Sequence, residues 1–475
     1  MSFRKSPVFR AAIVLVVALV GLGIGFLVPE TKSTPPYDSA SADQEDVARN
    51  KPLSNTMRST INQQSYGLSR FDIQDRLQGP RIVSDGHDHV WLAWESRTTE
   101  RHRTVFLASS TDGGQTFGEA TPIRTTAIYE WDVTIRHRSA KRSSRMWPHL
   151  EYKNQELILS WVEADQNDPS QQILSCARSS DQGQSFGSAS RLSTEAAVRP
   201  TFAGLAADES GQVATVWLDH RNGVQQPFAA STDTRIIEQL VYSGAGGQGI
   251  CPCCDLDVIL TPTDDTVVAF RNQVDGFRDI WVSVRPHGDA EFQPPFAIGD
   301  RRWQFNGCPH DGPSMAVVRD QLHVVWMDAH TGTQQVYRAQ SQLGEWEFET
   351  TPIQTTDAVQ GHASLSTDSQ NLWIVWDQAG ISNQPVRKAA QKTSVDSVSS
   401  IMLVTSTDQG QTWSSPVEIS TTVDTLTSRP VLVSNAEHLT LAWTNLSENG
   451  KQIVVKTIHR DAAITSPEQI AQNAN

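Results

Sequence analysis

The sequence predicts an all-β protein: a β-propeller, seven blades in the first reading and six in the alternative, behind an N-terminal transmembrane helix. Three observations predict it. A short apolar signature recurs seven times, a Ser/Asp/Gly turn motif recurs at one place within several repeats, and a single unbroken apolar run lies near the N-terminus. The 475 residues are 38% hydrophobic and 19% charged, which excludes a disordered chain. A formal net charge of −14 argues against a nucleic-acid partner, which calls for a basic surplus.

Met1 to Arg10 carries Arg4, Lys5 and Arg10 and no acid, and Ala11 to Val28 is an 18-residue apolar run. As a helix it reaches about 27 Å, enough to cross a hydrocarbon core of about 30 Å. Pro29-Glu30-Thr31-Lys32 follows where a cleaved signal would place a small-x-small site, and Ala40-Ser41-Ala42 stands too far out. Residues 1–28 are therefore expected to be a cytoplasmic tip and an uncleaved signal anchor, with a cleaved signal peptide as the alternative. The basic residues before the run keep the N-terminus cytoplasmic. The expected location is the inner membrane, single-pass, with the bulk of the chain in the periplasm or outside the cell. Residues 29–63, rich in Pro, Ser and Asp, read as a polar stalk. Residues 64–475 are assigned to the propeller.

The signature is a β-branched run that ends on an aromatic residue and then an acid or amide, as in Val213-Ala214-Thr215-Val216-Trp217-Leu218-Asp219. Its aromatics are Trp94, Trp161, Trp217, Phe270, Trp326, Trp376 and Trp443, spaced 50 to 67 residues apart. Each repeat reads as an alternating strand, a polar turn, the signature strand, a Gly/Asn turn and a third strand. Such a unit is a four-stranded antiparallel sheet. One sheet cannot bury both faces alone, and radial packing of seven buries them. Residues 381 to about 400 read as an insertion between the second and third strands of blade 6. The basic run from Arg136 to Arg145 reads as a loop between blades 1 and 2.

After the third strand come Ser110-Thr111-Asp112-Gly113-Gly114-Gln115-Thr116-Phe117, Ser179-Ser180-Asp181-Gln182-Gly183-Gln184-Ser185-Phe186 and Ser406-Thr407-Asp408-Gln409-Gly410-Gln411-Thr412-Trp413. Ser231-Thr232-Asp233 is a truncated copy. The Ser and Asp side chains cap backbone amides, Gly supplies a positive φ, and the aromatic tucks under the sheet. Ser110, Asp112, Gly114, Phe117, Ser179, Asp181, Gly183, Phe186, Ser406, Asp408, Gly410 and Trp413 are thus structural. These turns are Asp-boxes, and over about residues 79 to 461 the chain resembles the sialidase (neuraminidase) superfamily of BNR-repeat propellers.

That resemblance implies three arginines that hold a sugar carboxylate, an acid/base Asp and a Tyr nucleophile activated by Glu, an exception to the two-carboxylate scheme. Gly79-Pro80-Arg81-Ile82-Val83 is similar to the motif of the first arginine but lacks its Pro. Where the Asp is due there is only Glu100, among Arg97, Arg101 and Arg103, before Asp112. The stretch Gly361-His362-Ala363-Ser364-Leu365 has no Tyr where the nucleophile is due; Tyr242 and Tyr337 lie elsewhere in their repeats. The catalytic residues are therefore unknown, and release of sialic acid is not expected. Arg81, Arg199 and Arg429 read as starts of inner strands in blades 1, 3 and 7, where they either converge on an anion or pair with acidic neighbours. His149 and His362 open inner strands in blades 2 and 6 and complete the ligand-binding candidates.

Blade 4 opens with Gly249-Ile250-Cys251-Pro252-Cys253-Cys254-Asp255 and blade 5 with Asn306-Gly307-Cys308-Pro309-His310-Asp311-Gly312-Pro313. The C-x-C-C and C-P-x-x-G-P pair resembles a subset of bacterial exported sialidase-like proteins. Cys251, Cys253, Cys254 and Cys308 make two disulfides in the first reading. In the second, with His310, they bind a soft metal, copper or zinc. Cys176 reads as an inert buried thiol, and His87 and His89 as part of a solvated turn. The expected function is a membrane-anchored propeller whose channel mouth binds a glycan or a protein. The alternatives are a thiolate/His metal or redox protein and a divergent glycoside hydrolase.

Overall fold

The computed structural model describes residues 62–460, apart from 73–77, 136–137, 195–196, 232–237, 300–302, 369, 381–397 and 424. The apolar run, most of the stalk, the blade 6 insertion and the last two residues of the truncated Asp-box lie outside the described residues. No helix among the described residues is long and apolar enough to cross a membrane.

Seven four-stranded antiparallel sheets form a seven-bladed propeller. The innermost strands are Arg81–Ser84, His149–Lys153, Thr201–Ala207, Asp257–Leu260, Ser314–Val318, Val359–Thr367 and Leu426–Ser434 in blades 1 to 7. The second strands are Val90–Thr99, Glu156–Ala164, Val213–Asp219, Thr266–Arg271, Gln321–Asp328, Leu372–Ala379 and His438–Ser447. Every signature aromatic lies in a second strand and is buried. These strands have a neighbouring blade on each face, so they read as continuous apolar runs rather than as alternation. A two-stranded hairpin, Glu130–Ile135 with Arg138–Ser143, fills the expected loop between blades 1 and 2. Cys176 is buried in the third strand of blade 2, and burial pushes its thiol up.

The ring is closed across the termini. Asn62–Gly67 is the outermost strand of blade 7 and pairs antiparallel with Gly450–His459. It begins two residues inside the segment assigned to the stalk. Gln64 then stitches blade 7 to blade 1: its Oε1 accepts from Phe117 N at 2.6 Å and its Nε2 donates to Phe117 O at 3.3 Å.

Three inner strands break their register, between Thr201 and Gly204, Gly361 and Ser364, and Ser428 and Val431. Phe202, His362 and Arg429 sit at these bulges with φ of 53°, 49° and 57°. A bulge re-aims a side chain at the cost of a poor backbone region. His362 and Arg429 are therefore not strand starts, as their sequence positions suggest, but bulge residues inside their strands. Arg199, also at positive φ (52°), precedes its strand by two residues.

Candidate functional site at the channel mouth

The inner strands enclose a cavity of about 430 Å³ on the propeller axis, with residues from all seven blades in its wall. Arg81, His149, His362 and Arg429 all line it. Arg199 does not join them: its guanidinium lies 5.2 Å from the ring centre of Trp131, on the hairpin. Two of the three candidate arginines thus converge.

Arg81 Nε donates to His149 Nε2 at 3.2 Å, and Arg81 Nη2 stands 3.1 Å from the same nitrogen. For two N–H groups to meet it, that nitrogen must carry its lone pair. Burial, and then the Arg81 charge, push His149 well below the usual imidazole range, so it is neutral. Burial also lowers the Arg81 guanidinium, with nearby Asp255 opposing and Arg429 adding to the effect. Arg429 is tied differently. Its Nη1 donates to Asp255 Oδ2 at 3.0 Å and its Nη2 to the His310 carbonyl at 2.9 Å. His362 Nδ1 lies 2.7 Å from Asp377 Oδ2 and its backbone N donates to Asp311 Oδ2 at 2.6 Å. Burial alone would lower His362, but Asp377 overrides it and raises the imidazole.

The acidic half of the wall is the part that sequence reasoning missed. Glu151, Asp255, Asp257 and Asp311 all line the cavity. Desolvation pushes Glu151 up to about 8, opposed by Lys153 and aided by Asp257, so at neutral pH its carboxyl is a hydrogen-bond donor. Desolvation pushes Asp257 up to about 6, although it accepts from Met315 N at 2.6 Å and Val258 N at 2.9 Å. The available signal was strand alternation: Glu151 stands two residues after His149, and Asp257 two after Asp255. The Tyr–Glu pair implied by the resemblance is not assembled here. Tyr152 follows Glu151 and stacks on Trp91 of blade 1, with ring centres 4.9 Å apart.

Beside the mouth lie the cysteines. Cys251, Cys253 and Cys254 are buried, and Cys308 is exposed. The Cys251 sulfur stands 3.2 Å from that of Cys254 and 3.7 Å from that of Cys253. An S–S bond is about 2.05 Å, so the structure holds thiols where the first reading expected disulfides. Blades 4 and 5 do meet as expected, and two groups of donors could hold a metal ion: Cys251, Cys253 and Cys254, and Cys253, Cys308 and His310. Hydrogen bonds from Cys253 and Cys254 pull the Cys251 thiol well below its ordinary range, whereas its own hydrogen bonds, first to Cys251, raise Cys253.

The chain is similar in fold to a protein of unknown function from Dyadobacter fermentans, with 11% identity over 69% of this chain and 96% of that one and a TM-score of 0.44. It is also similar to the leech intramolecular trans-sialidase, with 10% identity, 66% and 67% covered and a TM-score of 0.40. The intramolecular trans-sialidase from Ruminococcus gnavus gives 8% identity, 68% and 94% covered and a TM-score of 0.41. No protein-family model matches the chain, and no curated protein sequence does.

Proposed function

We propose that this propeller is an exported, membrane-tethered binding module whose channel mouth takes a sugar bearing an acidic group. The observation that carries this reading is the Arg81–His149 pair. Arg81 presents a half-buried cation to the cavity and is hydrogen-bonded there to a neutral imidazole and to the Pro80 carbonyl. A ligand carboxylate supplies an anion for the remaining N–H groups of this guanidinium, whose Nε and Nη2 meet His149 and whose Nη1 meets Pro80. Around it, Glu151 as a donor, Asp257 and Asp311 as acceptors, and the Ser314 and Ser364 hydroxyls suit a polyhydroxylated ring. The volume falls in the range of about 300–1,000 Å³ usual for small-molecule sites. Binding rather than hydrolysis is favoured because Tyr152, beside Glu151 in the cavity wall, is stacked on Trp91 with ring centres 4.9 Å apart rather than hydrogen-bonded to that carboxyl.

Calorimetric titration with sialic acid, a uronic acid and the matching neutral sugars tests the proposal. An acidic sugar is expected to bind, its neutral counterpart to bind at least ~10-fold more weakly, and Arg81→Gln to abolish that preference. Equal binding of acidic and neutral sugars, or an Arg81→Gln protein that binds as the wild type does, would overturn it.

A further inference from the structure

We propose that Cys251, Cys253, Cys254, Cys308 and His310 form a two-ion soft-metal centre for Cu(I), with the Cys253 thiolate bridging the ions. The site is built by the chain around it. Gly249, at φ 76°, turns the backbone where a Cβ would overlap the Gln225 carbonyl, and Cys251 N then donates to Arg271 O at 3.2 Å. This delivers three sulfurs within four residues against the second strand of blade 4. The segment before the inner strand of blade 5 brings Cys308 and His310 to the far side of Cys253.

The arrangement discriminates between metals and between one ion and two. Each donor triad lies within 4.8 Å, and Cys253 belongs to both. A three-coordinate ion with bonds of about 2.3 Å spaces its ligands about 4 Å apart, a spacing that the 4.8 Å limit of each triad admits. No four donors among the described residues gather within the same limit. Zinc in a structural site demands four such ligands, whereas thiolates favour Cu(I), which is satisfied by three. The inner triad is wholly buried; the outer one, with Cys308 exposed and His310 half-buried, opens to solvent. His310 is oriented for its part. Its Nδ1 stands 3.2 Å from the Cys253 carbonyl, and a proton donated there leaves the lone pair on Nε2.

Charge points the same way. Arg271 and Arg278 are buried and both act electrostatically on Cys251. Arg271 spends its guanidinium on three carbonyls, of Asp311, Arg278 and Met327, and Arg278 Nη1 is buried with no hydrogen-bond partner. These two buried guanidinium groups share their surroundings with two buried acids, Asp311, which interacts electrostatically with Arg271, and Asp279, next in sequence to Arg278. Four thiolates with two monovalent ions carry a net charge of −2, which the two arginines face. Loading replaces four S–H bonds by metal–sulfur bonds and releases the protons to solvent.

Anaerobic titration of the full, reduced chain with Cu(I) against a bathocuproine competitor reads the stoichiometry. Two Cu(I) per chain are expected, with X-ray absorption showing sulfur ligands near 2.3 Å. Cys253→Ser should lose both ions. Cys308→Ser, at an exposed position that spares the core, should keep one. One ion or none in the wild type, two ions retained in Cys308→Ser, or uptake of Zn(II) with a four-ligand shell would each overturn the proposal. Sugar binding at the mouth is scored separately, so either conclusion can fail without the other.

Discussion

His323 shows how much one side chain can contribute to the pH dependence of this fold. It lies in the second strand of blade 5, is 3% exposed, and its Nε2 has no hydrogen-bond partner. Gly410 packs so closely on the ring that a Cβ there would overlap it. Burial, and then Arg338, push the imidazole down to about 4 from 6.5. The unfolded chain therefore binds the extra proton between pH 6.5 and 4, and stability must fall as the pH falls through that window. A shift of this size corresponds to about 3 kcal/mol. His323→Leu should flatten the stability profile between pH 6.5 and 4 in denaturant titrations. Parallel wild-type and variant profiles would show that another group titrates.

At the scale of the element, the Ser-x-Asp-x-Gly turn is a fastener between blades. In the blade 1 turn, Ser110 Oγ accepts from Gly114 N at 2.9 Å, and Asp112 Oδ1 accepts from Thr116 N at 2.8 Å. The blade 2 and blade 6 turns repeat these bonds. Each turn then docks on the second strand of the preceding blade: Gly114 on Thr440, Gly183 on Trp91, Gly410 on His323. Trp91 Nε1 donates to Gln182 O at 2.8 Å, and Thr457 Oγ1 to Gly114 O at 2.5 Å. Gly114 has φ 86°, and a Cβ there would overlap Thr440 Oγ1. Gly86, at φ 83°, faces open space. Gly86→Ala should cost about 1 kcal/mol for the backbone alone, and Gly114→Ala distinctly more, by thermal or chemical unfolding. Equal losses would mean that the turn does not press on blade 7.

For the whole molecule, the closing strand decides how the two ends of the chain are used. Asn62–Gly67 supplies the outermost strand of blade 7, at the rim of the ring. The proposed tether is the apolar run Ala11 to Val28 behind Arg4, Lys5 and Arg10. A reporter enzyme fused after residue 60 should be active only beyond the inner membrane, and the full-length chain should fractionate with membranes. Cytoplasmic activity of the fusion, or a soluble mature form that begins near residue 30 or 43, would remove the anchor.

The repeat was legible because burial between two blades is a local demand. A strand covered on both faces must be apolar throughout, and that leaves its mark seven times, from Trp94 to Trp443. The Ser-x-Asp-x-Gly turns were legible for the same reason, since their bonds span four residues. The meeting of Cys308 with the blade 4 cysteines followed from adjacent blades starting alike. Whether those sulfurs were bonded did not follow, because it depends on ångström placement. Arg199 could not be separated from Arg81 and Arg429 by pattern. All three sit near an inner strand, but the positive φ at Arg199 and at Arg429 decides where each side chain leaves the backbone. The site's polarity was hidden more deeply. Arg429 bonds Asp255 across 174 residues of chain, and only closure of the ring sets them on one wall. The sequence by itself determined the blades, because each is held by contacts between neighbours. The tertiary structure decided which groups meet at the mouth, because they come from every blade and only closure of the ring sets them on one wall.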